Sequence, residues 1–201
     1  MIITVAAFKG GVGKTTSSVH LAALLQESKP TLLIDGDPNR SATGWSKRGK
    51  LPFEVVDERQ MAKAAQRYAD GYIVIDTEAR PEEEDLKTLA DGCDLLIVPT
   101  TPDALSLDAL RQTISALKSL GNDRFRVLVT MVPPKPSRDG EEARAMLGGA
   151  GLPLFEGSIR RLVAFQKAAL AGVTVGEVPD PRAKEGWQDY RRIGEEVLHG
   201  R

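Results

Sequence analysis

The stretch from Val5 to Ala22, VAAFKGGVGKTTSSVHLA, constrains this chain more than any other. It runs from an apolar, strand-like segment ending at Ala7, through Gly10, Gly11 and Gly13, into Lys14-Thr15-Thr16 at the head of a helical pattern. Glycines here let successive backbone N–H groups turn toward an anion and approach it closely. The helix N-terminus behind them adds partial positive charge. Such a loop cradles phosphate. Gly10, Gly11, Val12, Gly13, Lys14, Thr15 and Thr16 are the expected binding residues. Lys14 would bridge the β- and γ-phosphates, and the Thr15 hydroxyl would join a Mg²⁺ shell otherwise built from water and phosphate oxygens. The strict Gly-x-x-x-x-Gly-Lys-Ser/Thr pattern fails, because Phe8 stands where it needs glycine.

Around this loop, short Val- and Ile-rich runs alternate with longer segments of helical period. MIITVAA, TLLID, YIVID, DLLIVPT and RVLVTMV read as strands, and helices are expected near 14–27, 40–48, 58–68, 82–92, 103–120, 139–148, 159–171 and 183–199. Continuous apolarity within the strands predicts burial on both faces. The expected fold is therefore α/β, a mostly parallel sheet of about seven strands flanked by helices on both faces. At 201 residues, a single domain over 1–201 is expected. A net charge of −1 argues against a constitutively basic nucleic-acid binder, although a local basic face escapes such an average. One cysteine, Cys93, excludes an intrachain disulfide or CxxC site. No apolar run approaches the ~20 residues of a membrane span, and the start lacks the basic lead of a signal peptide. A cytoplasmic protein is expected.

Lys9 to Thr16, Lys-Gly-Gly-x-Gly-Lys-Thr-Thr, resembles the deviant phosphate-loop signature of the ParA/MinD family of P-loop ATPases. The resemblance implies ATP and Mg²⁺ as cofactors and a nucleotide-dependent homodimer, two subunits sandwiching two nucleotides. It also implies a role for Lys9, which would reach across to the phosphates of the partner's ATP. The run Asp35-Gly36-Asp37-Pro38-Asn39 resembles the family's D-x-D-P-Q element, with asparagine in place of glutamine. By that likeness Asp37 positions the attacking water and Asp35 lies nearer the metal's water shell. Lys9, Lys14 and Asp37 then form the catalytic set. The same run is also an ordinary turn sequence, and its place one strand after the glycine loop favours the site. Asp76, at the end of YIVID, is the third metal candidate beside Thr15 and Asp35. After Thr77 the family's usual proline or glycine is absent, and Glu78-Ala79-Arg80-Pro81 follows, with Glu78 expected to point away from the γ-phosphate. Pro81 and the acidic run from Glu82 to Asp85 read as a helix start that complements the helix dipole.

Farther on, Pro99 and Pro102 fix a loop, with Leu105, Leu107 and Leu110 as core or subunit contacts. The loop from Met131 to Pro136 lies where related proteins surround the adenine, so Met131 and Pro133 are candidate base contacts. A rigid surface turn is the alternative. Ser158 to Val175 resembles a family element that grips DNA without sequence preference, which points to Arg160, Arg161 and Lys167. Ala164 stands where a second arginine is common, and solvated helix charges are the competing reading. Trp187, Tyr190, Ile193 and Val197 form a packing stripe near the end, and Glu195 and Glu196 oppose anionic lipid, so no membrane partner is expected.

The resemblance, closest to the short, ParF-like ParA branch, implies a partition ATPase that segregates plasmid or chromosome. It would dimerise on ATP, coat nonspecific DNA and thus associate with the nucleoid. Its weak intrinsic ATPase would be stimulated by a ParB-like centromere-binding activator. The alternative is a MinD-like or polar positioning ATPase that localises a non-DNA cargo. A nucleotide-dependent ligase or iron–sulfur carrier is a third class; the carrier is disfavoured because Cys93 alone supplies no cysteine pair.

Overall fold

Six apolar segments form strands: β1 (Ile2–Ala7), β2 (Thr31–Gly36), β3 (Glu54–Asp57), β4 (Tyr72–Ala79), β5 (Leu95–Thr100) and β6 (Phe125–Val129). In this computed structural model, which describes residues 1–79 and 83–200, they pair in parallel in the order β3-β2-β4-β1-β5-β6. Among the described residues there are eight α-helices: α1 (Lys14–Gln26), α2 (Ser41–Arg48), α3 (Met61–Ala65), α4 (Glu83–Asp91), α5 (Ala104–Ser119), α6 (Asp139–Gly149), α7 (Val163–Ala171) and α8 (Ala183–His199). Arg80, Pro81 and Glu82, and with them the proline-led start expected for α4, lie outside the described residues.

Side chains alternate across the sheet, as extended backbone requires. Ile3, Val5, Leu33, Val74, Ile97 and Leu128 pack with α1, α2, α7 and α8. Their neighbours Ala6, Leu96, Val98, Val127 and Val129 turn to the other face, against α4, α5 and α6. Helices therefore cover both faces, as expected. The stripe on α8 is also met, with Tyr190, Ile193 and Val197 buried and Trp187 packed against the same core.

Among the described residues the strands number six, not about seven. Beside β6 a further stretch begins to pair: Val127 N donates to Pro153 O at 2.8 Å, and Phe155 N to Val127 O at 3.0 Å. The ladder then breaks, because the amides of Glu156 and Gly157 turn to the Glu196 carboxylate at 2.8 and 3.0 Å. Pairing resumes where Ile159 N donates to Val129 O at 2.9 Å and Arg161 N to Val132 O at 2.8 Å. This resumed pairing also corrects the helix expected from 159, which starts only at Val163. The expected helix 58–68 is likewise shortened to α3, flanked by 3-10 turns.

Helices α2 and α7 meet at their C-terminal ends. Trp45 Nε1 donates to Val173 O at 3.0 Å, and Arg48 Nε to Ala169 O at 2.7 Å. Gly172 closes α7 with φ 72°, and a Cβ there would lie 2.1 Å from Gly49 N. Only glycine fits that crossing.

Candidate functional site

The loop between β1 and α1 takes its shape from left-handed residues at Gly11 (φ 78°) and Gly13 (φ 86°). Gly13 stands at the N-cap of α1, and its carbonyl accepts from Ser17 N at 2.9 Å. The Thr130 hydroxyl lies 2.8 Å from Val12 O and 3.1 Å from Thr100 O, which ties the loop to β5. Inside the loop, Lys14 is buried, with Nζ 3.5 Å from Lys9 O. Burial pushes its ammonium below the usual lysine range, while Asp76 and Asp37 pull it back up. The cation thus sits in the field of both strand-end carboxylates.

Asp76 is fully buried on β4, directly across from Asp35 on β2. Its Oδ1 accepts from Ser18 Oγ at 3.0 Å, whereas its Oδ2 is buried with no hydrogen-bond partner among the described residues. Burial pushes the carboxyl up to about 7; the Thr15 and Ser18 hydroxyls oppose this, Asp35 adds to it, and Lys14 works against it. A divalent cation suits this place, because an unpartnered carboxylate oxygen stands by the hydroxyl at the head of α1. Asp35 differs, since both its oxygens already serve backbone amides: Oδ2 accepts from Thr43 N at 2.7 Å and Oδ1 from Asp37 N at 3.3 Å. It fastens the start of α2 to the end of β2. Asp37 follows at the strand tip, and its Oδ1 accepts from both Asn39 N and Asn39 Nδ2 at 2.9 Å. The shorter amide therefore folds back onto the aspartate. Beyond Asp76, β4 runs on to Ala79 with a register slip, from Val5 opposite Asp76 to Ala7 opposite Ala79.

Lys9 does not extend into solvent. Its Nζ lies 3.0 Å from Asp103 Oδ1 and 2.7 Å from Ser106 Oγ. A cleft of about 660 Å³ opens beside the loop, lined by Lys9 and Gly10–Gly13 on one side and by Met131, Pro133, Leu162 and Phe165 on the other. Met131, at φ 50°, and Pro133 thus share one cavity with the glycine loop.

The three basic residues expected to face DNA are placed differently from one another. Arg160 is spent inside the protomer: Nε donates to Asp189 Oδ2 at 2.9 Å, Nη2 to Asp189 Oδ1 at 2.7 Å, and Nη1 to Glu185 Oε2 at 2.6 Å. Lys167 pairs with Asp180 at 2.8 Å. Arg161 is exposed and, of the three, alone has no ion pair among the described residues.

Thr130, Ser18 and His20 also support the site, with no signal of their own in the sequence. The first two act only through tertiary proximity. His20 reads as one more position of the α1 pattern, yet it is fully buried. Its Nδ1 lies 2.7 Å from Thr16 O, and its Nε2 accepts from Val175 N at 2.9 Å, which places the single proton on Nδ1. Tyr190 stacks on the ring at 4.8 Å, and Phe165 and Trp45 meet it edge-on at 5.3 and 5.8 Å. Burial lowers its pKa to about 4, against the opposing pull of the Thr16 carbonyl and Glu177.

Comparison with known proteins extends this picture. The family model for the CobQ/CobB/MinD/ParA nucleotide binding domain matches residues 3–175. The maintenance of carboxysome distribution protein A of Gloeobacter kilaueensis is 35% identical over 201 residues, covering 98% of this chain and 93% of that protein. Protein ParA of Rhizobium radiobacter is 28% identical over 199 residues, covering 92% and 88%. A plasmid partition protein of Borrelia burgdorferi bound to AMPPNP shares the fold, with a TM-score of 0.76 at 20% identity over 100% of this chain and 99% of that one.

Proposed function

The chain belongs to the CobQ/CobB/MinD/ParA nucleotide-binding family, and from that premise we propose that it is an ATPase that positions a large cargo by cycling between an ATP-bound dimer and separate protomers. The observation that carries this reading is the buried Lys14, in the field of Asp76 and Asp37 behind the glycine loop, with one Asp76 oxygen unpartnered among the described residues. Backbone amides from Gly10 to Lys14 bind phosphate oxygens, and Lys14 neutralises the β- and γ-phosphates. Thr15 and Asp76 would hold Mg²⁺, with Asp35 acting through water; the ion supplies further neutralisation of the phosphates. Asp37 accepts a hydrogen bond from the attacking water and aims it at the γ-phosphorus, while the bond to ADP breaks on the opposite side. Met131 and Pro133 flank the base. Lys9 of each protomer serves the nucleotide of its partner.

Intrinsic turnover is slow in this reading, because Lys9 is occupied within its own protomer and a partner protein must help order the loop at Asp37. The ATP-bound dimer holds nonspecific DNA and thereby associates with the nucleoid. Arg161 contributes to that contact, Lys167 joins it by leaving Asp180, and Arg160 supports it from within. Full-length likeness to a carboxysome distribution protein favours a protein assembly as the cargo, linked through its own adaptor. Likeness to ParA supports the second reading, a plasmid or chromosome carried through a ParB-like activator. No helix among the described residues is long and apolar enough to cross a membrane.

The test is an ATP titration coupled to sedimentation and DNA-shift assays. The parent chain dimerises with ATP and shifts unrelated DNA in a steeply salt-weakened way, and Lys14→Ala loses nucleotide, dimer and shift together. Binding to anionic vesicles without a DNA shift would refute the DNA step, and near-native ATP affinity in Lys14→Ala would refute the site.

A further inference from the structure

The contact made by Lys9 carries a consequence for assembly. Asp103 is a fixed acceptor. It caps α5 through Ser106 N at 3.0 Å, and the hydroxyls of Thr101 and Ser106 also point to its carboxylate. Ser106 is in turn anchored to the end of β5, where Thr100 Oγ1 donates to its carbonyl at 3.3 Å. Burial works against ionisation of Asp103, but the hydrogen bonds from Thr101, Ser106 and Lys9 hold its carboxyl well below the usual carboxylate range. Lys9, by contrast, sits on the glycine loop, and its own carbonyl lies 3.5 Å from the Lys14 ammonium. The carboxylate is the rigid member of the pair and the lysine the movable one.

We propose that Asp103, with Ser106, is the positioning residue for Lys9: it holds the ammonium within its own protomer until the triphosphate of a second copy of this chain displaces it. This rests on the dimer reading above. A phosphate that draws Lys14 away from the Lys9 carbonyl also loosens the loop carrying Lys9, so ATP bound in one protomer readies its lysine for the other. Lys9 and Asp103 side chains are 30% and 52% exposed, so the pair is a modest threshold and not a lock. A symmetric dimer must break two such pairs. A roughly threefold effect at each site therefore multiplies to about tenfold in the dimer equilibrium.

Asp103→Asn isolates this role, because asparagine caps a helix as well as aspartate does while removing the charge. In the nucleotide-free chain, an amine-acylating reagent read out by peptide mass mapping is expected to label Lys9 several-fold faster in Asp103→Asn than in the parent. With ATP and Mg²⁺, sedimentation is expected to show a dimer about tenfold tighter, at unchanged ATP affinity of the single protomer. In a Lys9→Ala background the substitution should change nothing. Unchanged labelling of Lys9 overturns the inference whatever the dimer does, and a weaker dimer in a normally folded Asp103→Asn overturns the threshold. Faster labelling, in a parent chain that never dimerises with ATP, refutes the functional reading and leaves the pair within the protomer standing.

Discussion

His20 offers a measurement in which a single proton reports on the packing behind the phosphate loop. Its ring donates through Nδ1 to Thr16 O and accepts at Nε2 from Val175 N–H. A second proton would set Nε2–H against that amide, donor facing donor, inside an aromatic box. In the fold the pKa is about 4, against an ordinary 6.5. For a base with a lowered folded value, the stability is fully present above pH 6.5, where both states are neutral. It is lost as pH falls toward 4, because the unfolded chain gains a proton that the folded chain refuses. At ~1.4 kcal/mol per pKa unit, the shift corresponds to about 3 kcal/mol. Asp76 acts in the opposite sense. Its raised value, about 7 against 3.8, adds stability as pH falls through the same range. The useful quantity is therefore the difference between the parent and His20→Gln, which keeps an acceptor near Val175 but cannot titrate. Urea unfolding of the nucleotide-free, magnesium-free chain between about pH 7 and about pH 4 reads it. The parent should start more stable, and the gap should shrink by about 3 kcal/mol on acidification. A gap that stays constant would mean that His20 protonates freely in the folded chain, and the argument would fail.

Four further substitutions test the site and its supports. Arg160→Ala should cost about 3 kcal/mol in urea unfolding, because Asp189, 4% exposed, loses the cation that compensates it; Arg161→Ala should leave stability within about 0.5 kcal/mol while weakening DNA binding and lowering its salt slope. Gly172→Ala should destabilise by about 3 kcal/mol or more, since the new methyl meets Gly49 backbone in a left-handed residue; a loss under about 1 kcal/mol would mean that α2 and α7 part easily. Asp37→Ala should accumulate an ATP-bound dimer that does not turn over, and normal phosphate release by that variant would assign the water-positioning role elsewhere.

The parts of the molecule legible in the sequence are those whose chemistry is local. Glycines at 11 and 13 announce their own backbone, and β1, β2, β4, β5 and β6 announce themselves by runs of Val, Ile and Leu. Strand β3 has only Val55 and Val56 to signal it, at the sheet edge beside β2, and so it escaped notice. Charge was the least legible property. Arg160 looks like a free cation along the chain, but Glu185 and Asp189 come back to it from α8. Likewise Glu196 reads as one of two glutamates on a solvated helix, yet it also bonds Arg126 and ends the pairing beside β6. Thr130 carries no sequence signal, since its partner Val12 lies 118 residues away.

That interruption by Glu196 bears on how copies of the chain can meet. An open sheet margin invites intruding strands and, with them, aggregation. Here the flank of β6 is occupied by a stretch too broken to template another, and the opposite flank ends in the four residues of β3. Lateral stacking through the sheet is thereby discouraged at both sides, so the nucleotide-switched dimer proposed above meets no competing mode of assembly through the sheet margins.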